Sequence, residues 1–308
     1  MAEDIVQNNP IDRLLDSKET HISQQSSESK SEISEKSVRP FSTLYGDAVS
    51  DEDANSFMSN GTKPKLIVLV GFADYGKTSF VASAFRKLVL QGGTTIDGSN
   101  YLLVNTLTIV GFERRMYLRW NNEHNEVNTK RTTLTENSLL HIQLQGETCE
   151  NYDYVISDRS GEVYTNYVSR KDAVQKDQLI EHADLVVFFV NSQLLNENCF
   201  IDLDDKYTQL LTRLKQSHKL NPKSKFIVCF TKDDDKGVGY DDSLATDIVE
   251  KIKKFCELDS IDEFHINAMN LLDKDDVVQR LCGEIWRPIK RKQEHPNLNW
   301  NKNMLNKE

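Results

Sequence analysis

The sequence predicts a three-layer α/β fold whose central sheet has six strands, mostly parallel with one antiparallel member. Two observations carry this. Apolar runs of strand length alternate with segments of helical pattern, which is how a largely parallel sheet covered by helices reads in one dimension. The second and third runs are separated only by "GETCENY", too short for a helical crossover, so those two strands form an antiparallel hairpin.

In chain order the strands are expected at 65–70 (KLIVLV), 139–145 (LLHIQLQ), 152–158 (YDYVISD), 184–191 (DLVVFFVN), 225–231 (KFIVCFT) and 263–269 (EFHINAM). Helices are expected near 77–91, 203–217, 243–256 and 273–291. The last carries Val277, Val278, Leu281, Ile285 and Trp286 at spacings that suit one buried face. The basic run that follows, Arg287 to Lys292, reads as a solvated helix end. Residues 1–62, rich in Ser, Glu, Lys and Gln, cannot bury enough surface to offset their ordering entropy. They read as a disordered arm in which Phe41, Leu44 and Tyr45 are the docking candidates. Residues 63–292 form the folded domain, 92–137 an insertion within it, and 293–308 a loose tail with Trp300.

Composition narrows the function. Lys and Arg number 38 against 48 Asp and Glu, a net charge of −10, so no general attraction to nucleic acid or to an anionic membrane is expected. Cys149, Cys199, Cys229, Cys256 and Cys282 are odd in number and lack C-x-x-C spacing, against a disulfide framework or a zinc site. The opening "MAEDIVQNNP" has no apolar signal core, and no run reaches the length of a membrane span. Position 2 is not Gly and no Cys lies near the end, so neither myristoylation nor prenylation is encoded. A cytoplasmic protein without a membrane anchor is expected.

The chemistry starts at "GFADYGKTS", residues 71–79, which satisfies G-x-x-x-x-G-K-[ST] between an apolar strand and a helical pattern. Such a loop presents backbone N–H groups to phosphate oxygens at a helix N-terminus. Gly71 and Gly76 permit the turn and the close approach. Lys77 supplies charge to the β- and γ-phosphates, and the Thr78 hydroxyl, followed by Ser79, is placed to hold magnesium.

The third strand ends in "SDRSGE", which gives Asp158-x-x-Gly161, and the fifth in "FTKDDD". With these two motifs the chain resembles the P-loop GTPase superfamily, of Ras-like fold. The resemblance implies that Asp158 reaches magnesium through water and that the Gly161 N–H senses the γ-phosphate. It also implies that Asp234 reads guanine, with Lys232 packed along the base and Thr231 bracing the loop where Asn is commoner. A carboxylate suits that task because guanine offers two adjacent donors and adenine does not. Ala268, in "INAMN", matches the loop whose N–H contacts the guanine oxygen. Thr132 or Thr133 fits the switch threonine that completes the magnesium shell, and Thr135 remains a third candidate. Arg114 and Arg115, on an expected helix in the insertion, stand open as an internal arginine finger, a partner patch or a solvated face, with solvation leading. Taken together, "GFERR", "KRTT", "SLLHIQL" and "SDRSGE" resemble the double-GTPase type related to TRAFAC proteins and encoded in bacterial multigene conflict or defence systems.

The resemblance implies GTP and GDP as ligands with magnesium. Where GTPases carry a water-positioning Gln after D-x-x-G, this chain has Glu162, whose charge beside a γ-phosphate is unfavourable unless paired; Arg159 is the candidate partner. Hydrolysis is therefore expected to be slow, or raised by a protein partner engaging the arm or the 92–137 insertion, or by self-association. Asp74 resembles an acidic position that helps hold a monovalent cation, which adds potassium to the expected ligands; acids also favour helix N-termini on their own account. Alternatives are a pseudo-GTPase scaffold that binds without turnover, and an ATP-dependent P-loop enzyme.

Overall fold

The computed structural model describes residues 48–49, 63–116, 118–121, 126–129, 139–234, 236–269, 271 and 276–289, with 118–121 and 126–129 described through their backbone only. The expectations for Phe41, Leu44, Tyr45, Thr132, Thr133, Thr135, Trp300 and the tail lie outside the described residues. Of the arm, Val49 is described: it is buried, and its N–H donates to the Leu139 carbonyl at 2.8 Å.

Strands β1 (Lys65–Val70), β2 (Gly93–Ile96), β3 (Ser99–Asn105), β6 (Leu139–Gly146), β7 (Asn151–Ser157), β8 (Leu185–Asn191), β9 (Lys225–Thr231) and β10 (Asp262–Ile266) make one sheet; β4 (Leu118–Asn121) and β5 (Glu126–Thr129) form a separate antiparallel ribbon. The sheet order is β10-β9-β8-β1-β7-β6-β3-β2. The expected six strands are therefore eight, and the expected single antiparallel strand is corrected to two. The run from β10 to β7 is parallel, while β6 pairs antiparallel with both β7 and β3, and β2 pairs antiparallel with β3.

The two additional strands are a hairpin closed by Asp97 (φ 50°) and Gly98 (φ 81°). Two left-handed residues in a two-residue loop match the right-handed twist of the strands, which is why Asp-Gly favours this turn. Part of the 92–137 segment thus extends the sheet.

Every residue of β1 and β8 is buried, so helices cover the middle of the sheet on both faces. The helices are α1 (Lys77–Gln91), α2 (Ile109–Met116), α3 (Gly161–Ser169), α4 (Lys171–Lys176), α5 (Leu179–His182), α6 (Phe200–Gln216), α7 (Asp242–Cys256) and α8 (Asp276–Trp286). Helix α1 stops where Gly92 takes φ 67° and its N–H caps the Val89 carbonyl. Expected helices at 77–91, 203–217 and 243–256 correspond to α1, α6 and α7. Within the expected 273–291 lies α8, whose buried face is Val278, Leu281, Cys282, Ile285 and Trp286; residues 273–275 and 290–291 lie outside the described residues.

The end of α8 is fixed by the sheet. The buried Lys65 ammonium donates to the carbonyls of Glu284 (2.8 Å), Ile285 (3.0 Å) and Arg287 (3.1 Å), and Tyr154 Oη donates to Trp286 O at 2.6 Å. A cation on the last carbonyls of a helix satisfies acceptors that have no partner inside it. Burial pushes Lys65 down to about 7, against the opposing pull of Asp184 and Glu284. Arg287, the first residue of the basic run, pairs with Asp97 at 2.8 Å rather than standing free.

Candidate functional site

The parallel strands deliver the expected site from their carboxyl ends, where ligands bind in open α/β sheets. After β1 the chain turns through Asp74 (φ 64°) and Gly76 (φ 77°) into α1. Both backbones are left-handed, and at Gly76 a side chain would also be crowded. A Cβ there would lie 3.2 Å from Thr231 Cβ and 3.3 Å from Ala268 Cβ. The phosphate-binding loop, the end of β9 and the loop after β10 therefore approach one another at this glycine. Gly71 has a separate constraint, since a Cβ would meet the Phe189 carbonyl at 2.9 Å.

Lys77 is buried, and its ammonium donates to Gly71 O (2.6 Å) and Phe72 O (2.8 Å), carbonyls of its own loop. Burial lowers it to about 8, while Asp158 and Asp74 pull it back up. Next in the chain, Thr78 Oγ1 donates to Asp158 Oδ1 at 3.1 Å, so the hydroxyl and carboxylate expected to serve magnesium meet directly. Asp158 is fully buried, and its Oδ2 accepts from Arg115 Nε at 2.6 Å. Arg115 is thus a buried, paired side chain, which corrects the expectation of a solvated face. It arrives from α2, where Phe112, three residues earlier, stacks on Phe85 of α1 at 4.0 Å between ring centroids. Arg114, its neighbour in sequence, is exposed.

Gly161 opens α3 against the phosphate-binding loop. A Cβ on it would lie 2.0 Å from Ala73 N and 2.2 Å from Phe72 C, so only glycine lets the two loops meet. Ser160 caps the helix by accepting the Glu162 N–H at 3.3 Å, and the Glu162 side chain is exposed. Arg159 does not pair with Glu162. It binds Asp177 (2.8 Å) and Tyr167 Oη (3.0 Å), and Tyr167 Oη donates to the same carboxylate oxygen at 2.6 Å. The correction has a simple cause. Asp177 is buried and needs the nearby cation, whereas an exposed Glu162 is solvated without one.

At the opposite end of the site Thr231 is fully buried, and its hydroxyl reaches the carbonyls of Tyr75 (3.1 Å) and Val190 (3.3 Å), tying β9 to the phosphate-binding loop and to β8. Lys232 takes φ 56° and donates to Gln193 Oε1 at 3.2 Å. Of the consecutive aspartates, Asp233 is bound into the scaffold by Ser192 Oγ (3.3 Å), His265 Nδ1 (3.0 Å) and Lys236 Nζ (3.3 Å). Asp234 is exposed, and its Oδ2 accepts from Asn267 Nδ2 at 2.6 Å. The register Thr231-Lys232-x-Asp234 is the one in which the x residue is structural. Ser83 of α1 binds the Met269 carbonyl at 2.9 Å and holds the Ala268 loop against α1.

These segments come from one matched stretch of sequence: the profile of the Double-GTPase 2 family covers residues 65–283, well over half of the 308-residue chain. The chain belongs to this family. As a Double-GTPase 2 domain it has a P-loop GTPase-type α/β fold, and the family implies guanine-nucleotide binding. Among solved structures the chain is similar to translation elongation factor SelB from Methanococcus maripaludis in complex with the GTP analogue GppNHp. That likeness has 13% identity and a TM-score of 0.39 and covers 75% of this chain and 36% of SelB. It is also similar to the signal recognition particle receptor SRb-GTP/SRX complex from Chaetomium thermophilum, with 11% identity and TM-score 0.38, covering 74% of this chain and all of that one. A third likeness is to the small GTPase Arl6 (BBS3) from Trypanosoma brucei with a bound nucleotide analogue, at 10% identity and TM-score 0.35, covering 72% and 99% of the two chains. No curated protein sequence matches the chain.

The residues present fit a nucleotide phosphate chain and a divalent ion. Gly71, Gly76 and Gly161 clear side chains from the loop, Lys77 supplies a cation, and Thr78 with Asp158 supplies hard oxygen donors of the kind magnesium takes. Two members of the site were not singled out from sequence. Asn267 orients Asp234 and also accepts the Met269 N–H at 2.9 Å, a local Asn turn that "INAMN" encodes. Gln193, which receives Lys232, had no signal of its own. Among the described residues no helix is long and apolar enough to cross a membrane.

Proposed function

We propose that the chain binds GTP and GDP with magnesium, hydrolyses GTP slowly or under stimulation by a partner, and acts as a nucleotide-controlled switch or assembly component. One observation carries the reading of the base. A side chain on Gly76 would meet both Thr231 and Ala268, and Asp234 is held by Asn267, the neighbour of Ala268, so the base-reading segments lie against the phosphate-binding loop. In this reading Lys77 and the loop amides hold the β- and γ-phosphates, and Thr78 and Asp158 hold magnesium, with Thr132 or Thr133 as the remaining oxygen donor. Magnesium supplies charge neutralisation on the phosphates when bound. Asp234 accepts the two guanine donors, and Ala268 offers its N–H to the base oxygen.

The test is nucleotide competition against a fluorescent GDP. GTP should displace it and ATP should not. Asp234→Asn should exchange preference for guanine for xanthine, whose second exocyclic carbonyl oxygen replaces the amino donor and accepts from the Asn amide. Equal displacement by ATP and GTP would remove the guanine reading.

A scaffold that binds without turnover is favoured by one observation. Arg159 is committed to Asp177, so no cation from the D-x-x-G loop neutralises Glu162. Single-turnover GTP hydrolysis, with Lys77→Ala and Glu162→Gln as controls, separates the two. Running it in potassium and in sodium tests the cation role of Asp74. Partner contacts are assigned to the N-terminal arm and the 92–137 segment. The resemblance to the double-GTPase type of multigene conflict systems supports placing the switch in such a system.

A further inference from the structure

We propose that Arg115 and magnesium compete for Asp158, so that loading the site with a metal–nucleotide complex releases helix α2 from it. The proposal rests on the reading of Thr78 and Asp158 as the magnesium-binding pair.

Asp158 is fully buried and each of its oxygens is engaged. Oδ1 accepts from Thr78 at 3.1 Å, and Oδ2 accepts from Arg115 Nε at 2.6 Å. The first contact is compatible with a metal, because a hydroxyl can donate its proton to Asp158 while its oxygen lone pair faces the ion. The second is not neutral toward one. A guanidinium stays charged at any working pH, so it and a divalent ion are two cations on one buried carboxylate, where charges are weakly screened. Either Arg115 moves or the metal binds more weakly.

The geometry also says what moves. Arg115 Nη1 donates to Gly111 O at 2.9 Å in its own helix, so the side chain is braced on α2 and the helix carries it. α2 rests on α1 through the Phe85–Phe112 stack. α1 opens with Lys77 and Thr78, so the helix that holds α2 also opens on the phosphates. In the chain, α2 is followed by the β4–β5 ribbon and then by Thr132 and Thr133. Arg115 is thus a positioning residue: it holds Asp158 and so ties the occupancy of that carboxylate to the placement of α2.

The experiment titrates magnesium at fixed fluorescent GDP for the full chain and for Arg115→Ala and Arg115→Gln. Gln removes the charge and keeps a hydrogen-bond donor for Asp158, so it carries the test if the Ala variant fails to fold. Both variants should show half-maximal metal effect at a magnesium concentration at least tenfold lower than wild type. Hydrogen exchange over residues 109–116 of the wild type should rise on adding magnesium to the GDP-bound protein. If nucleotide affinity depends on magnesium in all three proteins with the same midpoint, the competition is overturned while the magnesium reading stands. If exchange over 109–116 does not change, the release of α2 is overturned. If magnesium has no effect on any of the proteins, the proposal falls together with the reading beneath it.

Discussion

Replacing Gly161 by Ala tests whether the D-x-x-G loop and the phosphate-binding loop are in backbone contact. The added Cβ would lie 2.0 Å from Ala73 N, 2.2 Å from Phe72 C and 2.5 Å from Ala73 Cα. Ordinary carbon contacts sit at roughly 3.5–4.0 Å, so the two loops must part by more than an ångström. Neither side can yield by a rotamer change, because all three atoms are main chain. Overpacking that side chains can absorb costs about 1–3 kcal/mol, and a main-chain clash lies at or above the top of that range. For a domain of this size ~3 kcal/mol is about 6–12 °C in thermal midpoint. Gly283→Ala is the internal control. It lies in α8, a Cβ there meets nothing within 4 Å, and replacing a helical glycine should raise stability by about 0.5–1 kcal/mol. Thermal and urea unfolding of the three proteins, with hydrogen exchange over 71–79, read both effects. A Gly161→Ala midpoint within about 1 °C of wild type, with exchange of the loop unchanged, would refute the contact.

Thr231→Val keeps the shape of a buried side chain and removes the hydroxyl that reaches the Tyr75 and Val190 carbonyls. It should lower stability by about 1–3 kcal/mol and weaken nucleotide binding, with Thr231→Ser close to wild type; a Val variant as stable as wild type would show that the hydroxyl braces nothing. Lys65 predicts a pH dependence. Its folded value of about 7 lies below the unfolded 10.5, so between those values the unfolded chain binds more protons and stability rises with pH. The unfolding free energy from denaturant titrations should climb from pH 7 to 9 by at most ~1.4 kcal/mol per pH unit, and Lys65→Met should lose that climb; parallel curves for the two proteins would refute the assignment.

How much of this was legible in the sequence depended on the kind of constraint. Strand β9 was read to the residue and β1 likewise, because each holds an uninterrupted apolar run, Phe226 to Phe230 and Leu66 to Val70, opened by a lysine. The hairpin of β2 and β3 was missed although Asp97-Gly98 states it. Its first strand is Gly-Thr-Thr-Ile, and the second exposes Leu102 and Val104, so apolar residues do not mark the inward face. Helices α3 to α5 escaped for a related reason. Their buried positions include Tyr164, Tyr167, Val174, Leu179 and Ile180, in three short pieces broken at Arg170 and Asp177, and no single helical period runs through them.

The candidate site divides the same way. Lys77, Thr78, Asp158, Thr231 and Asp234 stand at or just beyond the carboxyl ends of β1, β7 and β9, and parallel pairing puts those ends on one edge of the sheet whatever the intervening loops do. Locating them needs only the strands and the motif offsets. Arg115 reaches the same edge by another route, through a helix whose position is set by Phe112 stacking on Phe85, a contact between residues 27 apart in sequence with no strand to align them. Local pattern gives the helix but not its docking. Only once it is docked does the arginine become a buried counter-ion of Asp158: "GFERR" marks the arginine and the stacking phenylalanine, but not the carboxylate that Arg115 meets.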